Sequence, residues 1–476
     1  MDKDFNLLNY QNFYLVGVKG VAMTSLAQCL IDAKKNVRGS DLAESFVTQK
    51  ILDKLAIKID LNFNQQIPKN TDCLIYTSAH QAQANPQVIQ AQKKGIKVLS
   101  QAEALASLFN QKQGIAVCGV GGKSTVSAMI TWILEKNKLN PSFSVGVGDI
   151  IGLGKTGQWS NDSKFFVAEA DEYVIDPKAK EKNKEITPRF SFLKPFITIC
   201  TNLKFDHPDV YQDFNHTKKV FSQFFRQIKK GGTLLVNTDN EDLIQLSKKQ
   251  KDKNILSFGE HRKADFRLTN YHSKEGETIG FFEFKKQNYQ IKLKIPGKFN
   301  LLNAIAATAT CYALGIDINL SLKTLQNFSS TLRRFEFKGK KNGVKYYDDY
   351  AHHPSEVYQA IKALNDWYPN KRKLITFQSH TFSRTKKLFS EFVDAFREAD
   401  EVLMIDIFAS AREAYDPNIS SDQLCQAIIK KYPRIKTKNL KTIDKLANYF
   451  KNELQKEDIC LTLGAGDIYK VHEMIK

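Results

Sequence analysis

The run Gly119-Val120-Gly121-Gly122-Lys123-Ser124-Thr125 has the chemistry to hold a phosphate. Successive backbone N–H groups in a glycine-rich turn, together with the positive end of a helix dipole, make a concave anion site. Lys123 would add a charge for the outer phosphates, and Ser124 or Thr125 a hydroxyl for magnesium. The spacing is not a full G-x-x-x-x-G-K-[ST] loop, because Val117 stands where the first glycine belongs. On these residues alone, a strand–helix turn with a surface lysine is the alternative.

Other polar clusters follow apolar runs in the same way. Phe165–Ala168 leads into Glu169-Ala170-Asp171-Glu172, and Phe196–Cys200 into Thr201-Asn202 and Asp206-His207. Val344–Tyr347 leads into Asp348-Asp349-Tyr350-Ala351-His352-His353-Pro354, and Leu374–Phe377 into a stretch holding His380 and Arg384. Ligands of open parallel sheets sit beyond the carboxyl ends of the strands. Ordinary loop polarity accounts for one such cluster easily and for all of them poorly. Asn300 and Asn303 lie one helical turn apart, so both can face one ligand, and an amide pair can read an adenine edge. Helix capping by Asn300 is the plainer alternative.

The elements that must position these groups follow a βα rhythm. Ile115–Cys118 is a continuous apolar run, expected to be a buried strand. Val126, Met129, Ile130, Ile133 and Leu134 then recur at helical spacing. The chain opens similarly: Phe13–Val16, a turn through Gly17, Lys19 and Gly20, then a helix pattern at Leu26, Cys29 and Leu30. This is a Rossmann-like start, although Lys19 and Ala22 replace two glycines of the dinucleotide fingerprint. A second strand ends at Gly39-Ser40-Asp41, where an acid suits a ribose or base contact; Asp41 could equally cap a helix over Glu44–Leu52. The next strand, Cys73–Tyr76, runs into Thr77-Ser78. Residues 260–294 alternate polar and apolar and predict a small antiparallel addition. The charged, lysine-rich stretch Asp176–Pro188 reads as an exposed insertion.

A chain of 476 residues suggests about three domains at roughly 150 residues each. The expected class is α/β, with segments 1–108, 109–328 and 329–476. No apolar run approaches the roughly 20 residues of a membrane span, and the first residues lack a signal-peptide layout, so a soluble cytoplasmic protein is expected. The seven cysteines form no C-x-x-C pair and read as small buried hydrophobes, with neither a disulfide frame nor a zinc site. The net charge of +19 is spread over most helices with no basic stripe interleaved with aromatics, which argues against nucleic acid.

Taken together, Gly119–Thr125, Glu169–Glu172, Thr201-Asn202 with Asp206-His207, Asn300/Asn303, Arg333-Arg334-Phe335 and Asp348–Pro354 resemble the Mur ligases of peptidoglycan synthesis. The specific signs are "GSDLAES", "RRFEFKG", "DDYAHHPSEV", "FQSHTFSRT" and "TLGAGDIYKV", and the likeness spans essentially the whole chain. The resemblance implies a Rossmann-like UDP-binding domain, a central P-loop-type ATPase domain and a Rossmann-like C-terminal domain that binds the amino acid. It implies a reaction in which ATP, UDP-N-acetylmuramate and L-alanine give an amide, ADP and phosphate through an acyl phosphate. The expected partners are these small molecules, with no nucleic acid or membrane, and the chain is expected to be a monomer or weak homodimer.

By the family's pattern Gly119, Gly121, Gly122, Lys123, Ser124, Thr125, Phe299, Asn300, Asn303 and Arg334 would hold ATP, and Asp349 would lie on its phosphate side. Ser124, Glu169 and His207 would bind Mg2+. Gly17, Lys19, Gly20, Ser40, Asp41 and Ser78 would hold the UDP substrate. Tyr350, His352, His380 and Arg384 would face alanine, Arg384 forking its carboxylate and His352 accepting the ammonium proton. Lys123, Asp349, His352 and Arg384 form the expected catalytic set.

Several positions depart from that pattern. The phosphate loop lacks the family's usual threonine and histidine, Phe299 replaces a histidine and could stack on the base, and Lys19 enters the UDP loop. Lys19 is expected to be solvated rather than bound to the diphosphate. The insertion is placed to act as a lid beside the magnesium region. A tripeptide-adding recycling ligase of the same family is the nearest rival. A non-catalytic nucleotide-binding protein and a nicotinamide oxidoreductase are weaker ones.

Overall fold

The computed structural model describes residues 5–179, 184–409 and 413–475 and contains three sheets, one after another along the chain. The first is five-stranded and parallel, in the order Lys58–Asp60, Asn36–Ser40, Asn12–Val16, Cys73–Tyr76, Lys97–Ser100. Tyr14, Leu15, Val16, Leu74 and Ile75 are all buried, the unbroken apolar reading of strands covered on both faces. Gly17 turns the chain into the helix Val21–Asp32 at φ +82°. A side chain is disfavoured at that φ, and a Cβ there would also meet Thr77 Cγ2 at 2.5 Å.

The loop after Ser40 differs from expectation. Its helix begins only at Gln49, with Thr48 at the N-cap position, and runs to Lys54. Asp41 is therefore not a cap: its carboxylate accepts the Lys19 and Leu42 N–H groups at 2.7 and 2.8 Å. Lys19 is buried, not solvated, and its ammonium donates to the Leu42 and Glu44 carbonyls at 2.7 and 2.6 Å. Those carbonyls, which an earlier helix would have bonded internally, are satisfied by the lysine instead.

The second sheet has ten strands. Gln287–Leu293, Glu277–Phe284 and Phe266–Lys274 form the expected antiparallel addition, and Asn254–Gly259, Thr233–Asn237, Ile197–Cys200, Gln113–Cys118 and Phe165–Glu169 continue it in parallel. Short strands Ser142–Ser144 and Gly157–Gln158 complete the far edge. On one face Ile115, Val117, Val167 and Ile199 share a core with the helices Lys123–Lys136 and Lys298–Ala313. On the other, Ala116, Cys118, Phe166 and Ala168 join a core continuous with Leu26, Leu30, Leu105 and Phe109 of the first domain.

The first and second domains are thus bonded by apolar packing and by a polar seam. Gln28 Oε1 accepts the Thr156 and Gly157 N–H groups at 2.9 and 2.8 Å, and Asp32 accepts that of Trp159 at 3.1 Å.

The third sheet runs Glu336–Lys341, Val344–Asp349, Ile459–Leu463, Lys373–Phe377, Glu401–Met404, Lys436–Asn439; only its first pair is antiparallel. Its helix Pro354–Trp367 reaches the second domain's antiparallel strands, where Trp367 Nε1 donates to Thr278 Oγ1 at 3.3 Å. All seven cysteines are free and buried. Among the described residues no helix is long and apolar enough to cross a membrane. The insertion's stem is closed by the Ile175 N–H donating to the Thr187 carbonyl at 3.1 Å; residues 180–183, which the lid expectation includes, lie outside the described residues.

Gly157 lies at a close approach of the two domains, since a Cβ there would lie 2.0 Å from the Ser25 carbonyl oxygen. Gly157→Ala is expected to destabilise the chain by about 1–3 kcal/mol or more, measured by urea unfolding. An unchanged midpoint would contradict the seam.

Candidate active site

The strand Gln113–Cys118 ends at Gly119, at φ +117°, and Gly122, at φ +84°, opens the helix Lys123–Lys136. Both glycines are required by close approach as well: a Cβ at Gly119 would meet Thr201 Oγ1 at 2.4 Å, and one at Gly122 would meet Asn303 Oδ1 at 2.7 Å. Asn202 braces the loop. Its Oδ1 accepts the Val120 and Gly121 N–H groups at 2.9 and 3.2 Å, while its Nδ2 donates to the Gly121 carbonyl at 3.1 Å. The first intrahelical donor is Val126 N–H, to the Gly122 carbonyl at 2.9 Å. The amides of Lys123, Ser124 and Thr125 therefore belong to the helix's unpaired first turn, where an anion binds.

Carboxylates and cations alternate around this helix start. Lys123 Nζ lies 3.0 Å from each oxygen of Glu172 and 2.7 Å from the Gly119 carbonyl. Burial works against its charge, yet Glu172, Asp171 and Glu169 hold the ammonium above the usual lysine range. Glu169 accepts from Ser124 Oγ at 3.1 Å and from Gly146 N–H at 3.0 Å. Burial raises its carboxyl, opposed by Lys123 and Arg334. Burial also works to raise Asp171, but Arg189, Lys123 and His207 hold it below the usual carboxylate range.

The expected metal set divides here. Asp171, Glu172 and His207 offer ligand atoms within 4.8 Å of one another, whereas Glu169 and Ser124 pair with each other one step along the wall. The reason is geometric: Glu169 still belongs to the strand Phe165–Glu169, and the next two acids turn out of it toward His207.

The third domain closes the site from the opposite side. Arg334 Nη2 donates to Ser124 Oγ at 3.1 Å. Arg384 is buried, its Nε bonded to Asp206 Oδ1 at 2.9 Å and its Nη1 to the His380 carbonyl at 2.6 Å. Two of its nitrogens are thus committed to protein oxygens, which narrows the expected free fork to the Nη2 end. His352 Nδ1 lies 3.0 Å from the Tyr350 carbonyl, which selects the Nδ1–H tautomer and leaves Nε2 as the basic nitrogen. Burial, then Arg384, depress its pKa to about 4. Asp349 accepts the Phe335 and Ala351 N–H groups at 2.8 and 2.7 Å, and burial raises its pKa to about 6 against the pull of Arg334.

Two cavities result. One, of about 380 Å³, has Lys123, Ser124, Glu169 and His207 on one wall and Tyr350, His352, His380 and Arg384 on the other. The second, of about 390 Å³, is bordered by Gly121, Thr125, Phe299, Asn300, Asn303 and Asp349. Gly122, Arg334 and Glu356 line both. Asn300 does not cap its helix, whose N-cap position is Gly297. Asn300 Nδ2 instead donates to the Pro296 carbonyl at 2.7 Å, and its Oδ1 accepts from Asn303 at 3.3 Å.

The first domain fits its expected set less well. The Ser40 hydroxyl is fully buried and donates to Gln87 Oε1 at 2.5 Å, inside a network with Tyr14. It faces the interior because it is the last residue of a strand covered on both sides. Ser78 Oγ accepts from Arg189. Gly17, Lys19, Gly20 and Asp41 form the turn beside it, but the first-domain residues that reach the cavity lined by Lys123 are others, among them Val21, Ala22 and Val47.

This three-part arrangement is matched by known proteins. Three family models cover the chain in order: "Mur ligase family, catalytic domain" at residues 12–113, "Mur ligase middle domain" at 117–311, and "Mur ligase, glutamate ligase domain" at 333–466. A UDP-N-acetylmuramate–L-alanine ligase of Clostridium kluyveri is 35% identical over 477 residues, covering 99% of each chain. The chain belongs to the Mur ligase family. Among solved structures, a UDP-N-acetylmuramate–alanine ligase of Thermotoga maritima has the same fold with a TM-score of 0.80, at 22% identity over 98% of each chain. A murein peptide ligase of Psychrobacter arcticus follows at 0.70 and 18%, also over 98% of each.

Within this Mur ligase, sequence reading missed the partners rather than the clusters. Asp171 and Glu172 stood next to Glu169 in the sequence but received no role. Glu356 was hidden as an ordinary residue of the helix Pro354–Trp367. Arg189 follows the insertion and pairs with Asp171; nothing in its surroundings marks it. Asp206 stands out in the sequence only as the neighbour of His207.

The depressed His352 pKa has a stability consequence. The folded chain binds this proton less readily than the unfolded chain, whose histidine titrates near 6.5. The neutral form therefore contributes stability above about pH 6.5, and that contribution is lost as pH falls toward about 4. His352→Gln is expected to shrink the drop in unfolding free energy between pH 7 and pH 5. Chemical denaturation at the two pH values measures it, and an equal drop in both proteins would contradict the assignment.

Proposed function

We propose that the chain joins the carboxyl group of UDP-N-acetylmuramate to the amino group of L-alanine while ATP becomes ADP and phosphate. The observation that carries this reading is the meeting of the two cavities at Gly122, Arg334 and Glu356. A triphosphate whose base lies by Phe299, Asn300 and Asn303 would present its last phosphate at Lys123, where the other cavity begins. A carboxylate is a poor electrophile for an amine until it is phosphorylated, and phosphoryl transfer needs mainly positioning and charge neutralisation. Lys123 and Arg334 supply fixed positive charge on either side of Ser124.

The oxygen-rich wall suits magnesium, whose usual ligands are oxygens. Glu169 with the Ser124 hydroxyl, and the Asp171–Glu172–His207 group, would hold it. Buried carboxyls such as Glu169, which burial pushes toward protonation, gain a counter-charge from a cation. Bound there, the ion would neutralise phosphate charge.

On the opposite wall the incoming alanine would place its carboxylate on the Nη2 end of Arg384 and its ammonium toward His352. Nε2 of the neutral imidazole can accept a proton from that ammonium, freeing the amine to attack the acyl phosphate; the departing group is inorganic phosphate. In the first domain, Gly17, Lys19, Gly20, Asp41 and Ser78 form the turn assigned to the UDP moiety, Lys19 by shaping the loop through its carbonyl contacts. A tripeptide-adding reaction is the second reading, because the Psychrobacter murein peptide ligase matches over the same length. The higher TM-score to the Thermotoga enzyme and the Clostridium relative favour alanine.

Phosphate release measured with UDP-N-acetylmuramate and a panel of amines tests the proposal. L-Alanine is expected to be the preferred amine, with turnover requiring all three substrates; preference for tripeptide would select the second reading. Lys123→Met is expected to lower kcat by about 10²–10³-fold or more. His352→Gln is expected to cost about 10²–10⁴-fold and to remove the acidic limb of the pH–rate profile. Unchanged rates in either variant would contradict that residue's role.

A further inference from the structure

Asp206 has no part in the reaction as described so far, yet it bonds groups on both sides of the cleft. It is 5% exposed and belongs to the second domain, while the guanidinium it binds, that of Arg384, belongs to the third. One oxygen, Oδ1, takes both the His207 N–H at 2.7 Å and Arg384 Nε at 2.9 Å. The first bond accompanies a left-handed His207 at φ +56°, a conformation uncommon for a residue with a side chain. The second fixes the plane of the guanidinium. His380, through its carbonyl, takes Nη1. With Nε and Nη1 both anchored, the guanidinium cannot swing about its side-chain torsions, and its remaining donors point where the protein sets them.

We infer that Asp206 is the positioning residue that sets amino-acid recognition: by gripping Arg384 Nε across the domain boundary, it aims the guanidinium at the carboxylate of the incoming amino acid. This rests on the alanine reading above and adds the device by which the carboxylate, rather than any amine, is selected. Planar guanidinium–carboxylate pairing depends on orientation as well as charge. An arginine released from Asp206 keeps its charge and loses its aim. A carboxylate that served only to neutralise Arg384 would have no effect on which amine is chosen.

The test compares L-alanine with L-alaninamide, which has the same amino group and methyl but no carboxylate. In Asp206→Asn, the KM for L-alanine is expected to rise about tenfold or more while kcat changes by less than about threefold. The KM values for ATP and UDP-N-acetylmuramate should stay within about twofold, and the alanine-over-alaninamide preference in kcat/KM should shrink by the same factor as alanine binding. Asp206→Glu, which keeps the charge, should restore part of that preference. It also carries the test by itself if the asparagine variant does not fold, its preference then falling below that of the unmodified chain.

An unaltered preference in the folded variants, or an equal loss for both amines, overturns the inference. Failure of the unmodified chain to turn over L-alanine overturns the function reading instead, so the two failures are distinguishable.

Discussion

The ammonium of Lys123, 3.0 Å from both oxygens of Glu172, is the contact the rest of the cleft depends on. A buried charge stripped of its partner costs several kcal/mol. Lys123 cannot be moved to the helix start without a carboxylate beside it, and that carboxylate cannot turn inward without the lysine. The same constraint spreads outward. Asp171 needs Arg189, Asp206 needs Arg384, and Glu169 shares the field of Lys123 and Arg334. Lys123–Glu172 and Arg384–Asp206 are charges the protein has taken out of water and neutralised in place, whereas Arg189–Asp171 is partly exposed.

The three sheets serve this arrangement unequally. The first two are fused: one core runs from Leu26 and Phe109 to Cys118 and Ala168, and Gln28 and Asp32 stitch the edge. The third has its own core, against which Phe205 and Phe299 of the second domain pack, and it adds polar links through Arg334, Arg384 and Trp367. Its link to the phosphate loop is therefore polar and directional, whereas the link between the first two is apolar and extensive. A cleft built across such a boundary has one wall backed by a continuous apolar core and one wall joined to it partly through charged side chains.

Much of this was legible in the sequence. Polar clusters placed directly after apolar runs mark strand ends, and those of the second and third sheets lie on cavity walls, whereas Ser40-Asp41 and Thr77-Ser78 of the first do not. The glycines at 119 and 122 were visible as a loop, and the antiparallel addition was visible as alternation around Phe281 to Phe284. What could not be read was pairing. Nothing local says that Arg384 bonds an aspartate 178 residues earlier, or that Asn202 occupies amides the phosphate loop was expected to offer. Ser40 was misjudged because a hydroxyl at a strand end can face either way, and burial decides which. Lys19 was misjudged because lysine usually is solvated, and only the two carbonyls of its own loop made the exception.

On the reading proposed above, this cleft activates a carboxylate by phosphorylating it. The most direct measurement starts from UDP-N-acetylmuramate carrying 18O in both oxygens of its carboxyl group, with ATP and L-alanine, and follows the label by mass spectrometry. Each phosphate released is expected to carry one labelled oxygen, because the oxygen that attacked the terminal phosphorus leaves with it when the amine displaces phosphate from the acyl carbon. Unlabelled phosphate, formed alongside amide, would contradict it.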